Sequence, residues 1–249
     1  MMRFFENKLA GWIICLLAII STEVWSVNVN SELINAADKG NFPLVKKILD
    51  SQRIEQDELN AAFLAAVKKG HATVIERFIQ TGVDVNLRAD DDYTPLMRSA
   101  RDGRNQAVEI LLAAGADVNA PAAEDGTALM MAAEKDRRKV IDLLLAAKAE
   151  VSVKRADSMT ALTLAAQQGH RQVIQTLINA GADVNYQLEN GATALMLAAQ
   201  LGHLGAVHTL LAANANPNLK ASNGATALTL AKLYHHKEVI ELLVKAGAK

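Results

Sequence analysis

The side chains with the most chemistry to offer in this chain are histidine and aspartate. Six histidines occur, at positions 71, 170, 203, 208, 235 and 236. A metal centre or a proton-transfer site needs such groups to converge with cysteines, carboxylates or each other. The sole cysteine, Cys15, lies far up-chain of them all, so no thiolate joins an imidazole. His235 and His236 are adjacent, which points their side chains apart on a helix or turn and suits a surface role. The run Asp90-Asp91-Asp92 lacks the Asp-x-Asp-x-Asp-Gly spacing of a calcium loop, and an exposed hairpin tip accounts for it. No Gly-rich phosphate loop, nucleophile elbow or His-Glu-x-x-His helix is present. The residues nominate no catalytic group, no metal ligand and no cofactor site, so the chain is expected not to be an enzyme.

What must hold these side chains is set by composition. Hydrophobic residues make up 51% of the chain and aromatics only 4%, so a large core has to be built from Ala, Leu, Ile and Val. The formal net charge of −1 gives no basic excess for nucleic acid or for an anionic membrane surface, and neither is expected as a partner. The first residues read as an export signal: Arg3 and Lys8, then an apolar run of twelve residues from Leu9 to Ile20, then a polar stretch. Twelve residues are short for a bilayer span and suit a signal-peptide core. Val24 and Ser26 stand at −3 and −1 of a cleavage after Ser26. Residues 1–26 are therefore expected to be a signal peptide. It would export the chain to the periplasm of a Gram-negative cell, or to the medium, with an uncleaved anchor as the alternative. After cleavage no cysteine remains, so packing alone must hold the mature chain.

The main signal is a period. Thr94-Pro95-Leu96 recurs in steps of 33 as Thr127-Ala128-Leu129, Thr160-Ala161-Leu162, Thr193-Ala194-Leu195 and Thr226-Ala227-Leu228. A second marker runs Gly70, Gly103, Asp136, Gly169, Gly202, His235, and a third runs Gly82, Gly115, Lys148, Gly181, Asn214, Gly247. Within the copy from Thr94 to Asn119, Thr94 is a good N-cap and Pro95 fits the first helical position. Gly103 closes that helix in a left-handed turn. A second helix over Gln106–Ala114 then puts Val108, Leu111 and Leu112 on one face, and Gly115 ends it. Each copy is helix, turn, helix, loop, and its apolar faces are too small to be buried except against neighbouring copies. Seven copies are expected: an N-terminal capping repeat at 27–56 and six repeats of period 33 at 57–249.

The recurring pattern G-x-T-[PA]-L-x-x-A-A-x-x-G-H-x-x-V-x-x-L-L-x-x-G-A-D-V-N resembles the ankyrin repeat. Tyr93-Thr94-Pro95-Leu96, Gly169-His170 and Gly181-Ala182-Asp183-Val184-Asn185 carry the resemblance most plainly. It implies an all-α solenoid of stacked helix-turn-helix units with short hairpin loops. It also implies that His71, His170 and His203, which occupy one and the same repeat position just after the turn residue, make a structural hydrogen bond across the turn. One departure is consistent: the family's Thr-Pro-Leu-His histidine is replaced by Leu64, Met97, Met130, Thr163, Met196 and Thr229, so its network at the helix head is weaker or replaced by packing. A second is Lys148, which should be strained if its turn is kept.

In such solenoids the hairpin tips and the exposed side of the first helix line a concave face free to vary for a partner. The resemblance implies that the candidate contacts are Asp90, Asp91, Tyr93, Arg101 and Asp102 in one repeat and Glu124 and Lys135 in the next. Met159 and Gln168 follow, then Gln200 and Leu201, then Leu233 and Tyr234. The N-terminal half of this face carries both signs of charge and its C-terminal half is nearly neutral. Tyr93, Met159, Leu201 and Tyr234 are its apolar points. The expected function is a non-catalytic protein–protein interaction scaffold, monomeric and without cofactor, acting outside the cytoplasm. A secreted effector that binds a host protein is the second reading, and an enzyme using the groove as an active site is the third.

Overall fold

The computed structural model describes residues 32–51, 53–89, 91–122 and 126–249. The expected signal peptide, and the candidate contacts Asp90 and Glu124, lie outside them. The chain divides into two compact units, Met1–Asp84 and Val85–Lys249.

In the first unit a helical stretch over 32–38 (α1) precedes α2 (Phe42–Ser51), α3 (Gln56–Lys69) and α4 (Ala72–Gln80). Asp57 and Glu58 lie in the first turn of α3 and Lys68 and Lys69 in its last, each matching the local end of the helix dipole. Phe63 of α3 meets Phe78 of α4 edge to face, ring centres 6.2 Å apart, and both are fully buried. These two rings anchor the core of the unit.

The second unit is five helix pairs. They are α5 (Pro95–Asp102) with α6 (Asn105–Ala113), α7 (Ala128–Glu134) with α8 (Arg138–Ala146), and α9 (Ala161–Gln167) with α10 (Arg171–Asn179). α11 (Ala194–Gln200) with α12 (Leu204–Ala212) and α13 (Ala227–Leu233) with α14 (Lys237–Lys245) complete it. The first helices pack in a row, α5 on α7 on α9 on α11 on α13, and the second helices form a layer behind them. Alanines make the first row possible: Ala132, Ala165, Ala198 and Ala231 are all fully buried, and only so small a side chain lets helices approach closely. In the second layer Val140, Ile141 and Leu144, and then Val173, Ile174 and Leu177, turn one face inward. Among the described residues the only strand-like pairings are isolated bridges in the hairpins, Ala122 with Gly126 and Gln187 with Thr193. No helix among the described residues is long and apolar enough to cross a membrane. The fold is an all-α repeat solenoid.

The helix ends follow the sequence markers. Thr94, with Pro95 at the first turn, caps α5, and Gly103 closes it at φ 74°. Where other repeats place glycine in a left-handed turn, Asp136 sits at φ 53°, Lys148 at 69°, Asn214 at 65° and His235 at 61°. The turn at Lys148 is therefore kept, with its N–H on Leu145 O and that of Ala149 on Leu144 O, as Gly115 and Ala116 do on Leu112 and Leu111.

The missing histidine of the first helix is replaced by more than packing. The hydroxyls of Thr160 and Thr163 form a reciprocal box: Thr160 N–H donates to Thr163 Oγ1 at 2.7 Å, and Thr163 N–H to Thr160 Oγ1 at 3.3 Å. Thr226 and Thr229 repeat it. Met97 and Met130 instead fill the same buried site. Beside Met130 the hydroxyl of Thr127 is buried without a hydrogen-bond partner.

Candidate functional site

Two sets of side chains lock neighbouring repeats in register before any surface is left for a partner. The first lies at the start of the second helices. His170 Nε2 lies 2.9 Å from Glu134 O, His203 Nε2 2.9 Å from Gln167 O and His236 Nε2 2.9 Å from Gln200 O. Each imidazole thus donates to a carbonyl at the end of the first helix of the preceding repeat, rather than across its own turn. Arg137 takes the same place, its Nε donating to Arg101 O at 3.0 Å. In the first unit His71 Nε2 reaches Asp38 O at 2.9 Å. The ring lies flat on the preceding turn: a Cβ added to Gly202 would sit 2.6 Å from the His236 ring. His236 is therefore a structural residue of this series, not half of a surface pair.

The second set ends each repeat. Asn86 Oδ1 accepts from Asp117 N–H at 2.8 Å, Asn119 from Glu150 at 2.9 Å, Asn185 from Asn216 at 2.8 Å and Asn218 from Lys249 at 2.9 Å. Ser152 occupies the one remaining place in the series, and its shorter side chain makes no such bond. In both sets the atom that makes the contact, the imidazole Nε2 or the asparagine Oδ1, is already committed to the stack.

What remains is the exposed side of the first helices and the hairpin tips. Tyr93 is half-buried, with the Arg101 guanidinium 5.1 Å and that of Arg98 5.8 Å from its ring centre, a cation–π arrangement that fixes the ring. Arg98 also pairs with Asp91, and Arg101 lies 3.4 Å from Asp102. Tyr93, Arg101, Met131, Glu134 and Lys135 line a shallow cleft of about 290 Å³. Lys135 faces Glu134 at 2.9 Å, so both signs of charge meet in it. Asp91, Tyr93, Arg101, Asp102 and Lys135 are brought together as one patch.

Met159 does not belong to such a surface. It is 7% exposed, because the next hairpin is tied over its own: Tyr186 Oη donates to Ser158 O at 3.0 Å and Glu189 N–H to Ser158 Oγ at 3.1 Å. In that hairpin two hydrogen bonds from Arg155 hold the Asp157 carboxyl below the usual carboxylate range. Gln168, Gln200, Leu201, Leu233 and Tyr234 lie further along, on α9, α11 and α13 or the turns that end them. Gln200 Nε2 donates to Tyr234 Oη at 3.4 Å, joining the last two. Leu201 is 47%, Leu233 66% and Tyr234 49% exposed, so none is drawn under the final repeat.

Sequence reasoning missed Leu204, which is 37% exposed beside Leu201. Its signal was present: the equivalent positions one, two and three repeats earlier are Arg171, Arg138 and Asn105, and the next is Lys237, all polar. Among the described residues no group of three or more His, Cys, Asp or Glu side chains is placed to hold a metal ion.

A model of ankyrin repeats matches the chain in three copies, over residues 33–122, 121–187 and 180–249. The chain belongs to the ankyrin repeat family. No curated protein matches it. Ankyrin repeats are a protein–protein interaction scaffold, and the family is generally non-enzymatic, so another protein is the class of partner that this ankyrin chain implies.

Proposed function

We propose that the chain captures a protein partner outside the cytoplasm through the hairpin tips and the exposed side of its first helices. The observation that carries this reading is the division of labour among side chains. The His/Arg and Asn series bind repeat to repeat, while the side chains of Tyr93, Arg101 and Lys135 line an open cleft on one side, and Leu201 and Tyr234 stand exposed on the other. A ring held by two neighbouring guanidinium groups loses little freedom on binding, and aromatic and arginine side chains dominate binding energy in most interfaces. Export rests on the Arg3–Ser26 reading of the sequence, and the chain is taken to act as a monomer. The reading is tested by pull-down with the mature chain from envelope extract and from medium, comparing wild type with Tyr93→Ala/Arg101→Ala/Lys135→Ala. Loss of the same captured protein in the variant, with the fold intact by circular dichroism, supports the surface. Undiminished capture means the wrong face has been chosen.

A further inference from the structure

Five large apolar side chains among the described residues are exposed: Leu201, Leu204, Leu233, Tyr234 and Val244. Four of them gather at the helix–helix turns of the last two repeats. Leu201 and Leu204 flank the α11–α12 turn, and Leu233 and Tyr234 begin the α13–α14 turn. These turns lie against one another, because the Tyr234 hydroxyl meets Gln200 and the His236 ring covers Gly202. The same places in earlier repeats hold Asp102, Lys135 and Gln168, or Arg101, Glu134 and Gln167. An apolar corner has replaced a polar one, and such a patch on a soluble surface marks a contact site.

The rim of this corner indicates what covers it. Arg171 runs beside Leu204, for a Cβ added at Gly205 would lie 3.6 Å from Arg171 Cδ. Lys232 precedes Leu233, and Lys237 is the residue one repeat beyond Leu204. All three are exposed. Among the described residues, Arg98, Arg101, Lys135, Arg138, Lys139 and Arg155 of the earlier repeats of this unit are each paired with a carboxylate. Arg171, Lys232 and Lys237 form no such pair; Arg104, Arg137, Lys148 and Lys154 also lack one, so what sets these three apart is their place beside the apolar corner. Cations left without partners around an apolar centre complement a surface with apolar side chains in the middle and carboxylates at the edge.

We propose that this corner docks a protein segment that presents an apolar ridge flanked by Asp or Glu, an acidic amphipathic helix being the simplest form. The inference rests on the scaffold reading above; it shares Leu201 and Tyr234 with that surface but none of Tyr93, Arg101 and Lys135. Leu201, Leu204 and Leu233 supply the apolar contact and the three cations set orientation and register. Tyr234, held by Gln200 and stacked on His236 at 6.5 Å, is the rigid member.

The test uses the full mature chain and a fluorescein-labelled helical peptide with leucines at i, i+4 and i+7 and glutamates flanking them. A second peptide replaces each glutamate by lysine. Anisotropy at low salt is expected to show the glutamate peptide bound about tenfold more tightly, a preference that fades as salt screens the rim. The triple variant Arg171→Glu/Lys232→Glu/Lys237→Glu is expected to invert the preference. Leu204→Ser/Leu233→Ser, at exposed sites, should weaken both peptides without lowering the melting temperature. Equal binding of the two peptides, a preference unmoved by the charge reversal, or association with phosphatidylglycerol vesicles in place of the peptide would each overturn the proposal. Failure here with capture still lost in the Tyr93/Arg101/Lys135 variant removes this corner alone. Failure of that variant with the peptide preference intact removes the concave face alone.

Discussion

Lys148 shows how much a single position can withstand when its surroundings dictate the backbone. Its φ of 69° belongs to glycine, and a side chain there costs roughly 1–2 kcal/mol. Lys148→Gly is expected to raise the melting temperature by about 2–4 °C on calorimetry. A fall would mean the exposed lysine does something the turn does not reveal. Ser99 is the opposite case, a buried hydroxyl with no hydrogen-bond partner where the next three repeats hold Ala132, Ala165 and Ala198. Ser99→Ala should stabilise by about 1 kcal/mol in urea unfolding, since it removes a desolvated group without opening a cavity of any size. Glu58 completes the set. Burial, and then the charge of Glu55, push its carboxyl above the ordinary glutamate range. A raised acid binds its proton more tightly when folded, so it favours the fold at low pH and that advantage is lost as pH rises through its folded value. Glu58→Gln should therefore raise stability at pH 7 and change nothing once the pH is below that of an unfolded glutamate, about 4. Unfolding curves at pH 3.5 and 7 would show it.

At the scale of the element, the end of α8 is where the pattern fails three times within five residues. Lys148 replaces glycine, Glu150 replaces the residue whose side chain closes a small turn at Asp117, Asp183 and Asn216, and Ser152 replaces the asparagine that reaches the next repeat. The α8–α9 connection should be the softest loop of its kind in the second unit. Hydrogen exchange is expected to be faster at Asp183 N–H than at Asp117 or Asn216, whose amides are held by Asn86 and Asn185. Glu150→Asp/Ser152→Asn should remove the difference and add about 1 kcal/mol. Equal protection in the wild type would refute the weak joint.

The sequence announced the period, the Thr94 cap and the turn glycines, and it marked Lys148 as strained if its turn is kept, because each is a local rule of backbone geometry. It did not announce where the side chains of the histidine series end. His170 and Glu134 are 36 positions apart, and only the stack reveals that a ring covers a neighbour's turn. The burial of Met159 was hidden for the same reason: the hairpin that covers it belongs to the next repeat. The exposed corner of Leu201, Leu204, Leu233 and Tyr234 was half legible. Leu201 and Tyr234 stood out by residue type and Leu233 by its place in the repeat, while Leu204 shows only when its equivalents in other repeats are compared.

Within the second unit, each pair of helices touches only its neighbours, so stability accumulates by adjacent interfaces rather than through one shared centre. The asparagine series makes this arithmetic strict. Every one of its bonds spans 31 positions, from Asn86 to Asp117 as from Asn218 to Lys249. Deleting one residue anywhere in between would pull a side chain off its amide. Copying a whole 33-residue cassette, cut at equivalent places, would leave each bond with a correct partner. The molecule is thus brittle to small edits of its text and indifferent to large ones, and a chain with an additional cassette should fold as readily as this one.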